Sequence, residues 1–140
     1  MKGILIFIVV AFLGLILLGK CSSGPEIEKG SFSDKQICTA TIAMVMGKNT
    51  KKMFSVHLEG NVTVMYQRES DEKMFSYECY VTRNKVKWKF ASYDWNHNSG
   101  KEQYTFEVIK GDEGGEQLSI FANYGDSASH QKQNFSQNDF

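Results

Sequence analysis

Cysteine and histidine have the most versatile chemistry of any side chains in this 140-residue chain, and their spacing excludes most of it. Cys21, Cys38 and Cys79 lack the close cysteine or histidine spacing of a zinc site, so no metal is expected. His57, His97 and His130 have no acidic or cysteine partner at a spacing that repeats a hydrolytic motif, and they read as strand or loop surface residues. Asp71-Glu72 and Asp112-Glu113 are adjacent carboxylates, but each sits where a turn is expected. Glycosidase chemistry needs two carboxylates at a set distance, one with its pKa raised by burial, and turn carboxylates are solvated. Nucleophile-elbow, P-loop and zinc signatures are missing, so no catalytic residue and no cofactor is assigned.

The remaining candidates are binding residues. Lys85, Lys87 and Lys89 alternate with Val86, Trp88 and Phe90, which puts the lysines on one strand face and the apolar side chains on the other. The basic face reads as solvated, and its lysines also discourage edge pairing. A second candidate is the stretch from Tyr93 to Lys101, the longest irregular run, which carries Trp95 and His97. Exposed loops and tryptophan are both over-represented at binding sites, although a Trp95 buried at a strand end would carry no binding role.

Charge narrows the partner classes. Sixteen basic and sixteen acidic residues cancel, and the lysine-rich strand alone does not make a nucleic-acid surface, so none is expected as a partner. Residues 21–140 carry 14 basic and 16 acidic side chains, a mildly acidic domain of net charge −2. A chain of this size buries roughly two-thirds of its unfolded surface, a modest core that a crosslink would help.

The N-terminus assigns the compartment. Between Lys2 and Lys20 run 17 residues without a polar side chain, an export segment. As a helix it would rise about 26 Å, a little short of a bilayer's hydrocarbon core. Leu18-Gly19-Lys20-Cys21, followed by Ser22-Ser23-Gly24-Pro25, resembles the processing site of bacterial lipoproteins, with Lys20 where that family has a small residue. Three outcomes stay open: lipidation of Cys21, an uncleaved anchor with Lys20 at the interface, or plain secretion. All three place the rest of the chain outside the cytoplasm.

Residues 21–32 hold the only proline and a Ser-Ser-Gly run, and read as a tether. A domain is expected over 33–136, with 137–140 as a tail. Ser33 and Gln36 stand in capping-box register, and Gly47 closes the helix they open. Ile37, Ala40, Met44 and Val45 line one stripe of it, with Cys38, Thr41 and Ile42 on the shoulder.

From Met53 the period changes to two. Val56 and Leu58, then Val62, Val64 and Tyr66, alternate on either side of a Glu59-Gly60-Asn61 hairpin. Further alternating sets occur over 74–82, over 85–90, at Tyr104, Phe106 and Val108, at Leu118, Ile120 and Ala122, and over 129–135. The expectation is an α+β fold: one N-terminal helix packed on a curled antiparallel meander of six or seven strands, open or closed as a barrel.

With Cys21 assigned to lipid, Cys38 and Cys79 are an even pair in an exported domain and are expected to form a disulfide. The run Asp34 to Ala40, Met46-Gly47, Ser76-Tyr77-Glu78-Cys79, Val86-Lys87-Trp88, Tyr104-Thr105-Phe106, Leu118-Ser119-Ile120 and the Tyr124 to Ser129 segment resemble a group of small exported proteins of bacteria and their phages. The resemblance covers roughly residues 34–135 and implies the same fold and disulfide, without an activity. Where that group tends to have a Gly-Arg-Trp-Arg loop, this chain has Asp94-Trp95-Asn96-His97-Asn98, so no role of those arginines carries over.

Two function classes follow. One is a non-catalytic binding or inhibitor module attached to a bacterial envelope through its N-terminus, with an envelope protein as partner, in the manner of a hydrolase inhibitor or a phage exclusion factor. The other is a small hydrolase with a site assembled from scattered loop residues, for which His97 beside Asp94 or Glu102 in a concave pocket would be the sign.

Overall fold

A computed structural model describes residues 29–92, 102–124 and 130–140. Among these residues one α-helix, α1 (Asp34–Met46), precedes seven strands: β1 (Met53–Leu58), β2 (Asn61–Gln67), β3 (Met74–Thr82), β4 (Lys85–Phe90), β5 (Glu102–Lys110), β6 (Glu116–Tyr124) and β7 (His130–Ser136). The strands form one antiparallel meander in sequence order, curled into a half-barrel around the helix. β1 and β7 stand at opposite ends of that order, so the barrel is open.

The helix starts and stops where its capping residues dictate. Ser33 Oγ accepts the Gln36 amide at 3.3 Å, and Gln36 Oε1 accepts the Ser33 amide at 3.0 Å, completing the box. Gly47 ends it in the left-handed region at φ 61°, and the Lys48 amide reaches the Ala43 carbonyl at 2.9 Å. Seven consecutive residues, Ile37 to Ala43, are buried, so the helix has no solvent side there. The expected stripe is therefore too narrow: Cys38, Thr41 and Ile42 are fully buried, whereas Met44 and Val45 are only partly so. The curled sheet causes this, since β1, β2, β3, β4 and β6 all contact the helix.

Cys38 on the helix is bonded to Cys79 on β3, with Cα atoms 5.9 Å apart. Around that bond the inward residues build the core: Val62 and Val64 from β2, Tyr77 from β3, Phe106 from β5, Leu118 and Ile120 from β6. Tyr66, Phe75, Tyr77, Trp88 and Phe90 make a run of ring contacts along the concave face. Among the described residues β4 and β5 are joined by only Lys85↔Thr105 and Val86↔Tyr104, the least paired seam of the sheet.

Both expected domain boundaries fall short. Phe32, placed in the tether, is a core residue, because its ring meets Phe140 edge-on at 6.2 Å. Residues 137–140, placed in a tail, form a closing turn: Asp139 Oδ2 accepts the Ser136 amide at 2.6 Å, and the Thr50 hydroxyl donates to the Asp139 carbonyl. The two ends also meet directly, with Gln137 Nε2 donating to Ser31 Oγ at 2.8 Å.

Candidate functional site

The β1–β2 hairpin decides what the convex surface of the half-barrel presents. Glu59 and Gly60 both have positive φ, 50° and 84°, the requirement of a two-residue type I′ turn. Leu58 therefore pairs with Asn61, Val56 with Thr63 and Phe54 with Met65. Paired residues share a sheet face, and Val62 and Val64 take the concave one, so Phe54, Val56 and Leu58 point outward. They are 57%, 37% and 60% exposed, so the alternation read at Val56 and Leu58 marks an outward row that Phe54 extends. Ser55 and His57 take the inward positions of this strand instead, and His57 is exposed.

The register carries this face across the sheet. Met65 on β2 opposes Ser76, and Gln67 opposes Met74, which is 54% exposed. Glu78 follows on β3, opposite Lys89 on β4, and Lys87 and Lys85 continue the outward row of β4. The outer face of β1 to β4 thus runs from an apolar row to a basic one, a span of roughly 14 Å at ordinary strand spacing.

Alternation placed the three lysines on this outer face, but they do not act as one solvated row. Lys85 and Lys87 are exposed, and Lys87 Nζ lies 5.8 Å from the Tyr80 ring centre. Lys89 is buried, at 6% exposure, with its ammonium 2.9 Å from the Glu78 carboxylate directly across the ladder. The local cause is the register: Glu78 faces Lys89 and draws its charge into an ion pair. Lys89 is therefore a structural residue, and the basic end of the face is carried by Lys85 and Lys87.

The other candidates divide between exposed turns and residues outside the description. Asp71 forms a two-pronged pair with Arg68, at 2.7 and 2.5 Å, and the guanidinium holds its carboxyl down at about 2. That ties the β2–β3 turn and keeps the carboxylate charged. Asp112 and Glu113 are exposed in the β5–β6 turn. His130 Nδ1 lies 2.8 Å from Asn123 Oδ1 across β6 and β7. Cys21, Trp95 and His97 lie outside the described residues, as does the apolar segment 3–19. A hydrolase would need His97 beside Asp94 or Glu102, and His97 and Asp94 lie outside the described residues, whereas Glu102 begins β5. Among the described residues no group of His, Cys, Asp and Glu is arranged to hold a metal, and no helix is long and apolar enough to cross a membrane.

Two shallow depressions flank the turn after α1. One, of about 420 Å³, lies between that turn and β7, against Asn134 and Phe135. The other, of about 530 Å³, lies between Lys48 and the start of the β2–β3 turn. Its cations are engaged: Lys48 sits over the Tyr66 ring, Lys52 is paired with Glu69, and Arg68 with Asp71.

No protein-family model matches the chain, and neither a curated protein nor a solved structure matches it significantly. Its own geometry therefore has to carry any functional reading.

Proposed function

We propose that this chain is a non-catalytic binding or inhibitor module held at a bacterial envelope, and that the outer face of β1 to β4 is where it meets a protein partner. The observation that carries the reading is the outward row Phe54, Val56 and Leu58. Apolar side chains grouped on a solvated face lower no folding free energy where they stand, whereas their burial against a partner would contribute roughly 25 cal/mol for each Å² removed from water. Lys85 and Lys87 at the other end of the face would orient an acidic partner surface.

Attachment is read from the sequence: the apolar segment 3–19 and Cys21 supply the anchor, and the disulfide suits an oxidising compartment. The resemblance to small exported proteins of bacteria and phages agrees with that placement. Inhibition of an incoming hydrolase, or of a phase of phage entry, is the class of role such a face would serve.

The test is capture from envelope extract by the full chain, immobilised, comparing wild type with Phe54→Ser/Leu58→Ser. The expected result is a protein retained by the wild type and lost by the variant. Identical retention by both would remove the face from the binding reading. Fractionation of wild type against Cys21→Ala tests the anchor separately: a wild-type chain found wholly soluble in the exported space contradicts attachment.

A further inference from the structure

We propose that β1 pairs edge to edge, antiparallel, with β1 of a second copy of this chain, about a two-fold axis through Val56. This goes beyond the proposed function, because edge pairing leaves the outer face open and doubles it.

The first ground is the contrast between the two ends of the sheet. Among the described residues nothing pairs with the outer edge of β1. Exposed edges are normally blunted by charge, proline or a covering segment, and the strand Met-Phe-Ser-Val-His-Leu has no acidic, Lys, Arg or Pro residue. The other edge, β7, carries Lys132 within the strand, the kind of charge that blunts an edge. One edge is protected and the other is not.

The second ground is register. In a two-residue hairpin the pair flanking the turn is hydrogen-bonded, so Leu58↔Asn61, Val56↔Thr63 and Phe54↔Met65 exchange backbone bonds. The backbone groups of Ser55 and His57 then point to the free edge. A two-fold axis through Val56 sets Ser55 opposite His57 of the second copy, in both directions, as hydrogen-bonded pairs. The same axis sets Val56 opposite Val56, and Phe54 opposite Leu58, on the outer face. The outward apolar row therefore meets its own copy, and the polar positions meet each other.

The third ground is charge. Lys51, exposed, precedes β1, and exposed Glu59 follows it. Antiparallel self-pairing brings the basic entrance of each strand to the acidic exit of the other, twice. A parallel arrangement would set like charges side by side, so the pairing direction is specified as well as the partner.

Val56 on the axis would be a non-hydrogen-bonded pair, with Cα atoms about 4.5 Å apart, inside the range that a disulfide spans. Val56→Cys in the full chain should therefore crosslink to itself under mild oxidation, giving a reducible dimer well above the wild-type background. Ile109→Cys, at a similarly exposed outward position on β5, should not. Equal dimer from the two variants overturns the pairing. The second measurement needs no crosslink: sedimentation of the full wild-type chain should give twice the mass found for Val56→Lys, which sets like charges face to face on the axis. A wild-type chain that sediments as a monomer at micromolar concentration overturns the inference. A monomeric chain that still captures its envelope partner would leave the proposed function standing, and a dimer that captures nothing would do the reverse.

Discussion

Cys38 and Cys79 are 41 residues apart, so their bond closes a long loop of the unfolded chain. Closing a loop of that length is worth about 4 kcal/mol in the chain-entropy account, a large share of a small domain's stability. Denaturant unfolding of the Cys38→Ala/Cys79→Ala variant should show a loss of that order, and a loss below about 1 kcal/mol would contradict it. Tyr77 makes a separate prediction. Burial, and then its hydrogen bond with Tyr66, push its pKa above the ordinary value of 10.0. A raised pKa contributes stability that is complete below the unfolded-state value and is lost as pH rises past it. Stability should therefore fall as pH rises above about 10, and Tyr77→Phe should flatten that slope in denaturant midpoints measured from about pH 9 to pH 11. The disulfide was legible in the sequence because, with Cys21 read as the anchor residue, an even pair of cysteines remains. The burial of Lys89 was not, because alternation assigns a strand face without saying which side chain stands opposite, and here it is Glu78.

Among the elements, α1 and the β1–β2 hairpin show what pattern reading can and cannot do. Ser33, Gln36 and Gly47 mark the helix correctly because capping is local chemistry. The width of its buried face is set by how far the sheet curls, which no local pattern records. Ile42, expected on the shoulder, is fully buried, so Ile42→Ala should cost about 2–5 kcal/mol by denaturant unfolding. A cost below 1 kcal/mol would mean that the helix lies on the sheet instead of inside it. The hairpin failed by one residue. A three-residue loop, Glu59 to Asn61, would set Leu58 opposite Val62 and Val56 opposite Val64, on the core face. The two-residue turn sets Leu58 opposite Asn61 and moves the whole apolar row of β1 to the other side. The clue was available: Gly60 supplies one of the two positive φ values that a type I′ turn needs, but Glu59 is an uncommon residue for the other. Replacing it with Asn should relieve that position and raise stability by up to about 1 kcal/mol, with the register unchanged.

At the scale of the whole molecule, a half-barrel closed on its helix by a disulfide has spent its apolar inner face on the core. It has kept a second apolar row on the outside of its unprotected edge. Alternating hydrophobicity disclosed the α+β class and the meander, since most strands obey it in the ordinary sense. The surface proposed for binding lies on the strand that obeys it in reverse. That reversal underlies both proposed surfaces, and the unfolding free energy of the full chain carrying Phe54→Ser tests it most directly. If Phe54 faces solvent, the substitution should change stability by no more than about 0.5 kcal/mol, as at other surface positions. A loss above about 2 kcal/mol, the cost of truncating a large core side chain, would place Phe54 in the core and remove both the binding face and the self-pairing edge.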